Sequence, residues 1–415
     1  MKNKIYKNII YFITIFIIIL IICLEFIKGF ALIDHYNMYN KGYIRYATEE
    51  FFKDGRIFSG LYILIANLLN IKINHLYIIS SILGICVITL NILYFKEILK
   101  RKCNSKEDWI WLILSLITVF NWTCVNNMCY IEAPIIALSI FLYIYSAKKI
   151  ILDKSIKISF ITLIIGLFCY QGTISTYFSM IVFFELLNNE NRSDTIKNIL
   201  KCYLLGIIPI IINFIFIKTY GNLFNLTTRT DISLDKIIYN TKNIGKSIIQ
   251  ILLYSNLELP RYILVIFMIF ILAIAALNIK NEKKVLLKIL WIYIIDIIAC
   301  IPLMIYFYGS DIVISGRMLW SMGAIIGMSL IIFYSDFEDK NWKNIVIFAS
   351  IIYTSCMLYG MNNLIYRYKA GNEIDRSICE ELDQLRLKVE KEEKKNIDKI
   401  IIKEEYTRKW ITNEI

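Results

Sequence analysis

Long apolar runs, separated by short segments rich in lysine and arginine, dominate the chain. Apolar runs of about 20 residues are typical of membrane-spanning helices. The runs that predict spans are, in order, Asn8–Leu24, His75–Phe95, Trp109–Phe120, Ile131–Ser146, Cys202–Lys218, Tyr262–Leu277, Ile289–Tyr306, Met318–Tyr334 and Trp342–Tyr359. A further run, Ile158–Leu187, is long for one helix and short for two, and its polar break at residues 170–172 predicts two short helices or a re-entrant pair. The pattern predicts an all-α, polytopic membrane protein with about 9–11 transmembrane helices.

Basic residues between these runs predict the orientation. Lysines cluster in the segments 96–108, 148–157 and 280–288, so these segments are expected in the cytoplasm. The N-terminus is then cytoplasmic, and the odd number of spans places the C-terminus outside. Residues 1–360 form the predicted transmembrane domain, with outer loops at 30–74, 220–258 and 309–317. Residues 361–415 form an extracytoplasmic tail, helical over Ile374–Ile402.

Three outer segments have a finer prediction. Ile57–Leu69 is apolar but short, which favours an amphipathic or re-entrant helix at the outer surface. Asn121–Tyr130 is expected to form a short outer turn, and Ile244–Leu253 an amphipathic stretch within the second outer loop.

Composition agrees with this interpretation. Of the 415 residues 58% are hydrophobic, against about 45–50% in soluble domains. The net charge of +12 raises the possibility of nucleic-acid binding, but the basic residues lie in short loops between spans, so no nucleic-acid partner is expected. The ten cysteines show no spacing typical of a metal site or a disulfide framework.

Polar and aromatic residues concentrate in the predicted outer segments. A transporter is expected to carry polar groups at mid-membrane instead, and the main ionisable residues within runs are Asp296 and Glu185. The distribution favours a site at the outer membrane surface that receives a lipid-borne substrate.

Several short motifs resemble one family. Asp34 follows the first span, Tyr36 and Arg45 come next, and Asp54-Gly55-Arg56 leads into the following apolar segment. With the Tyr170-Gln171 break, Gly316-Arg317 before a late span and Asp375-Arg376 in the tail, they resemble the Gtr-type (type II) membrane glucosyltransferases. These enzymes modify O-antigen or other surface glycans and belong to the GT-C type of polytopic glycosyltransferases.

The resemblance covers most of the chain, through short motifs and layout. It implies a GT-C-like fold, a polyprenyl-phosphate-linked sugar donor, a surface-glycan acceptor and no nucleotide at the active site. GT-C proteins often carry two adjacent acidic residues after the first span, whereas His35 follows Asp34 here. The second carboxylate therefore stays open among Asp54, Glu49, Glu50 and Glu132.

The residues themselves suggest roles for glycosyl transfer. A carboxylate can take the proton of the acceptor hydroxyl; Asp34 is the first candidate and Glu132 the next. Arginine binds phosphate through its planar fork, which makes Arg45, Arg56 and Arg317 candidates. Further substrate-binding candidates are His35, as a neighbour that tunes Asp34, and Tyr36, Asp54, Trp122, Tyr170 and Gln171. No cofactor is predicted, since no ligand cluster indicates Mg²⁺.

Plainer interpretations stay open. Asp54-Gly55-Arg56 has the composition of an ordinary turn, Tyr170-Gln171 that of the tip of a helical hairpin, and Arg317 that of a lipid-headgroup anchor. The function predicted is transfer of a hexose, with glucose favoured, to a surface glycan at the outer face of the cell membrane, alongside a donor synthase and a flippase. The alternatives are a lipid-linked oligosaccharide flippase or other transporter, for which Asp296 would be essential, and a surface-polysaccharide polymerase.

Overall fold

The computed structural model describes residues 2–27, 33–103, 107–188, 192–226, 234–254, 260, 262–277, 279–302, 318–337 and 339–393. Within these ranges all regular secondary structure is helical, so the predicted all-α class is confirmed. The α-helices are α1 Lys2–Ile22, α2 Leu24–Ile27, α3 Ile33–Tyr46, α4 Ile57–Leu68, α5 Ile73–Lys102, α6 Asp108–Val119, α7 Trp122–Val125, α8 Ala133–Ile151, α9 Ile156–Cys169, α10 Ser175–Asn188, α11 Arg192–Leu223, α12 Leu234–Tyr254, α13 Ile263–Leu277, α14 Ile279–Ile298, α15 Trp320–Asp336 and α16 Lys340–Glu393.

Several of these helices are long and apolar enough to cross a membrane. By length and composition four of the described helices qualify, namely α5, α8, α11 and α16, and a fifth span results if α6 and the segment Trp122–Cys129, bent by 59°, count as one. Shorter apolar helices of 10–17 residues include α4, α9, α13 and α15. The number of 9–11 spans stays a prediction.

The core runs from α5 and α8 through α10 to α15, which also packs against α6 and α14. Every side chain of α15 from Trp320 to Tyr334 is buried. Glycines allow this helix to lie close to its neighbours: a Cβ at Gly323 would collide with Asn121, and one at Gly327 with Thr118. Small residues at helix contacts are typical of membrane bundles, where close backbone approach provides much of the attraction.

Charged groups mark one end of the bundle. Lys7 and Lys100 both pair with Asp108, and Lys288 lies 2.6 Å from Asp336. The opposite end contains the start of α5, where Tyr39 donates a hydrogen bond to Asn74. Because α5 has 30 residues, these ends are separated by about 45 Å along its axis at 1.5 Å per residue. Lysines of α1 and α5 thus share one carboxylate at this end, and the side of the membrane that the end faces stays a prediction.

The segment between α6 and α8 differs from the exposed outer turn that its polarity suggests. It is helical, as α7 and the 3₁₀ turn Asn126–Cys129, and its side chains are buried. Asn121 accepts a hydrogen bond from the Thr123 amide (3.0 Å) and donates to the Trp320 carbonyl (3.4 Å). The side chains of Asn121, Thr123 and Asn126 are hydrogen-bonded within the protein, which reduces the cost of burying them. The side chain of Asn127 is buried without a hydrogen-bond partner among the described residues.

The outer loops are also more ordered than predicted. Residues 33–68 form α3, the π-helical turn Ala47–Phe52 and α4. The second loop holds α12, where Ile244 and Ile248 are buried and the polar Lys246 and Gln250 are exposed, as expected for the predicted amphipathic stretch. At the C-terminus α16 continues without interruption through Gly360, where the sequence predicted the transmembrane domain to end. Residues 309–317 and the tail beyond 393 lie outside the described ranges.

Candidate functional site

A helix-stop turn positions Arg56 at the beginning of α4. After the π-helical turn Ala47–Phe52, the Gly55 N–H donates to the Phe52 carbonyl (3.0 Å) and the Arg56 N–H to the Phe51 carbonyl (2.8 Å). These two bonds form the Schellman motif, which requires a residue with positive φ. Gly55 meets this requirement with φ +73°. The predicted Asp-Gly turn is therefore a helix C-cap that directs Arg56 into the protein.

Two buried amides from other helices hold this turn in place. Gln171 Nε2 donates to the Asp54 carbonyl (2.7 Å) and to Asn213 Oδ1 (3.2 Å). Asn213 Nδ2 in turn donates to the Gly55 carbonyl (3.3 Å). Hydrogen bonds between buried groups are strengthened by the low local dielectric, so the turn is fixed relative to α11 and to the break between α9 and α10.

The Arg56 side chain reaches Glu132, 76 positions away in sequence. Arg56 Nη1 lies 2.9 Å from Glu132 Oε1, and the two side chains are 18% and 6% exposed. The guanidinium carbon lies 4.9 Å from the centre of the Tyr170 ring, within cation–π range. A largely buried arginine is thus held between a carboxylate and an aromatic face.

Glu132 and Tyr170 both lie at helix ends. Glu132 immediately precedes α8, and Pro134 lies in the first turn of that helix. Backbone N–H groups in the first turn have no partner within a helix, so a proline there removes no helical hydrogen bond. Tyr170 has extended backbone (φ −160°, ψ 117°) between α9 and a 3₁₀ turn, and its carbonyl accepts a hydrogen bond from the Tyr143 hydroxyl (2.8 Å). The sequence-predicted break at residues 170–172 is thus a real interruption between two short helices.

The hydroxyl of Tyr170 is unusual. The residue is 1% exposed, and among the described residues no hydrogen-bond partner of this hydroxyl is found. Buried hydroxyls normally have a partner, and an exception calls for an explanation such as an absent ligand or water.

Arg45 occupies a separate position on α3. It is exposed and pairs with Glu49 at 2.5 Å, while Lys41 lies 2.5 Å from Glu50. The hydrogen bond from Arg45 holds the pKa of Glu49 below its usual value. Lys41, Arg45 and Asn67 line an open cleft of about 560 Å³ beside Gly42, where α3 is kinked.

The remaining predicted residues divide into two groups. Trp122 is completely buried in the core, and its binding role stays a prediction. Asp34, His35 and Tyr36 lie in the first turn of α3, but their side chains, like Arg317 as a whole, lie outside the described part of the structure. The structure therefore brings together Asp54, Arg56, Glu132, Tyr170 and Gln171.

Sequence reasoning missed Asn213 and Tyr143. Asn213 stands alone in the apolar run Ile207–Ile217, and this isolation was the available signal, because a lone amide in hydrocarbon must find a partner. Tyr143 offered no signal, since a tyrosine within an apolar helix is common.

A second buried polar group lies deeper in the bundle. Asp296 on α14 is 2% exposed, and its Oδ2 has no hydrogen-bond partner among the described residues. The Ser321 hydroxyl donates to the Asp296 carbonyl (3.0 Å) and lies 3.2 Å from the Cys300 thiol. The predicted mid-span carboxylate is thus buried in the bundle, beside Ser179 of α10.

No group of three or more His, Cys, Asp or Glu side chains that could hold a metal ion occurs in the described ranges. No protein-family model, curated protein or solved structure matches the chain.

Proposed function

We propose that this chain is a polytopic membrane glycosyltransferase of GT-C type. It transfers a hexose, with glucose favoured, from a polyprenyl-phosphate donor to a surface glycan at the outer face of the cell membrane. The observation that carries the proposal is the convergence of Arg56, Glu132, Tyr170 and Gln171, which were selected from sequence as substrate-binding or catalytic candidates.

The chemistry assigns a role to each group. The acceptor oxygen forms a bond to the anomeric carbon of the sugar, and the bond from that carbon to the phosphate oxygen breaks. The electron pair stays on the phosphate, so charge develops there, and Arg56 is suited to stabilise it. The acceptor proton passes to a carboxylate, Asp34 or Glu132. Tyr170 presents an unpartnered hydroxyl for the sugar or the phosphate.

The rest of the predicted residues complete the proposed site. Arg317 would provide a second phosphate contact, His35 would tune Asp34, and Tyr36, Trp122 and Arg45 would contact the sugar or the acceptor. The topology predicted from the basic loops, with the N-terminus inside and the C-terminus outside, would put this end of the bundle on the extracytoplasmic side. A donor synthase and a flippase would supply the lipid-linked sugar.

The test is transfer of radiolabelled sugar from synthetic polyprenyl-phosphate-glucose in proteoliposomes, with wild type beside Asp34→Asn and Arg56→Lys. Glu380→Gln is the matched control, because Glu380 also pairs with an arginine, Arg376 at 2.9 Å, but in the exposed part of α16. Transfer that is lost in the first two variants and kept in the control supports the proposal. Transfer that survives in Asp34→Asn moves the base to Glu132, and absence of transfer by wild type from polyprenyl-phosphate hexoses contradicts the reaction class.

A lipid-linked oligosaccharide transporter is the second candidate, because Asp296 is buried with an unpartnered oxygen. Buried carboxylates inside membrane bundles commonly belong to ion or proton pathways. Asp296→Asn separates the two candidates: a transferase keeps its transfer activity in this variant, whereas a transporter that depends on Asp296 loses movement of lipid-linked sugar across the bilayer.

A further inference from the structure

We propose that Glu132 is the resting counter-ion of Arg56, and that the phosphate of the lipid-linked donor takes its place. This inference rests on the proposed function and concerns the step that precedes transfer. In the structure the Arg56 guanidinium points at the Glu132 carboxylate, with Nη1 2.9 Å from Oε1. A phosphate that uses Arg56 must compete with this carboxylate.

The Arg56 end of the pair is held by the surrounding protein. Arg56 is held through its turn, because Gln171 and Asn213 bind the carbonyls of Asp54 and Gly55, and through its guanidinium, which lies over the Tyr170 ring. Exchange of the anion therefore leaves the arginine in place.

A phosphodiester can replace the carboxylate at this position. Its two non-bridging oxygens can accept two parallel hydrogen bonds from the guanidinium fork, and each keeps a lone pair for a further donor. The guanidinium lies over the ring of Tyr170, whose buried hydroxyl has no partner among the described residues. An arginine stacked on a tyrosine with an unpartnered hydroxyl is suited to bind an anion, and Glu132 fills the anionic position at rest.

The exchange also has a catalytic consequence. A carboxylate that has lost its arginine and lies beside a phosphate anion has a higher proton affinity, because both changes disfavour its charged form. Glu132 would then be a better acceptor for the proton of the incoming hydroxyl. Donor binding would create the base only when the phosphate is in place, which protects the site from hydrolysis of other lipids.

If the phosphate and the Glu132 carboxylate compete for Arg56, removing the carboxylate should strengthen phosphate binding, whereas loss of a favourable contact would weaken it. The probe is a sugar-free polyprenyl methyl phosphodiester, whose single charge does not change with pH, in nanodiscs of neutral lipid. We expect Glu132→Gln to bind this probe at least tenfold more tightly than wild type, since the competitor is gone. Glu132→Asp, which keeps the charge but is one methylene shorter, should bind with intermediate affinity. Arg56→Gln should abolish binding, and Glu380→Gln, which removes the exposed partner of Arg376, should bind like wild type.

Two results would overturn the inference. One is a Glu132→Gln variant that binds the phosphodiester no better than wild type while its thermal midpoint shows that it is folded. If Glu132→Gln does not fold, the second such result is a Glu132→Asp variant that binds the phosphodiester with the same affinity as wild type or more weakly. Because the probe carries no sugar, a failed exchange is distinguishable from a failed proposed function, which is read from sugar transfer by the wild type.

Discussion

Gly55 allows the geometry of the site to be tested by one methyl group. The Gly55→Ala change adds a Cβ that would lie 2.7 Å from Ile217 Cγ1 and 3.0 Å from Gln171 Nε2. The positive φ of this residue, required by the Schellman turn, costs an alanine about 1–2 kcal/mol. Overpacking against Ile217 adds about 1–3 kcal/mol. We therefore expect the free energy of unfolding to fall by about 2–5 kcal/mol.

Gly42 provides a matched control, because its φ is +71° and a Cβ there would meet nothing within 4 Å. Its ψ of 169° places it in a region that strongly favours glycine, so Gly42→Ala should cost about 1–3 kcal/mol through backbone strain alone. A double-mutant cycle isolates the packing component at Gly55. Ile217→Ala removes the atoms that clash, so the double variant should be more stable than the sum of the single changes by about 1 kcal/mol or more.

The assay is equilibrium unfolding in mixed micelles titrated with a denaturing detergent, followed by tryptophan fluorescence. The reasoning would be refuted if Gly55→Ala unfolded like wild type, or if the effects of Gly55→Ala and Ile217→Ala were additive. Either result would mean that the turn and α11 are not in the contact described, and the Asn213 hydrogen bond to the Gly55 carbonyl would then be in doubt as well.

Three further predictions use the same assay or its pH dependence. Tyr170→Phe should leave the free energy of unfolding within about 0.5 kcal/mol of wild type, because the hydroxyl that it removes has no described partner; a larger loss would contradict its unpartnered state, and a drop in transfer at unchanged stability would assign the hydroxyl to the substrate. Arg56→Gln should cost about 3 kcal/mol because it leaves the buried Glu132 charge without its arginine. Arg45→Gln removes an exposed ion pair and should lower the unfolding midpoint only slightly; equal effects would be inconsistent with the different burial of the two arginines. The pKa of Glu49 is lowered, so its pairing with Arg45 stabilises the protein at pH values above its ordinary pKa of 4.5, and this contribution is lost as the pH falls through the lowered pKa. Glu49→Gln should therefore lose less stability than wild type on acidification. Identical stability–pH curves for the variant and wild type would count against the pairing.

Sequence patterns predicted much of the helical layout because apolar periodicity and breaks are local properties. The interruption at Tyr170 and the amphipathic face of α12 followed from such local signals. The Asp-Gly pair likewise marked a turn, although its capping role depends on hydrogen bonds that only the three-dimensional arrangement specifies.

The pairing of Arg56 with Glu132 was not predictable from one sequence. Both residues were candidates, but their contact depends on the packing of α4 against the start of α8, which no local pattern encodes. The burial of residues 121–130 escaped prediction for a related reason. Polar residues between two apolar runs usually indicate exposure, and here the carbonyl of Trp320, about 200 positions away, satisfies one of them.

The length of α16 has a mechanical consequence. At one point along it the Tyr368 hydroxyl binds Asn126 at 2.7 Å, and Lys369 lies 3.8 Å from Glu25. The helix continues to Glu393, about 36 Å beyond this pivot at 1.5 Å per residue. A tilt of about 5° at the pivot would move the far end by about 3 Å over that length. A molecule bound at the end of α16 would therefore transmit force to the buried segment that contains Asn126, and through that segment to the core helix α15.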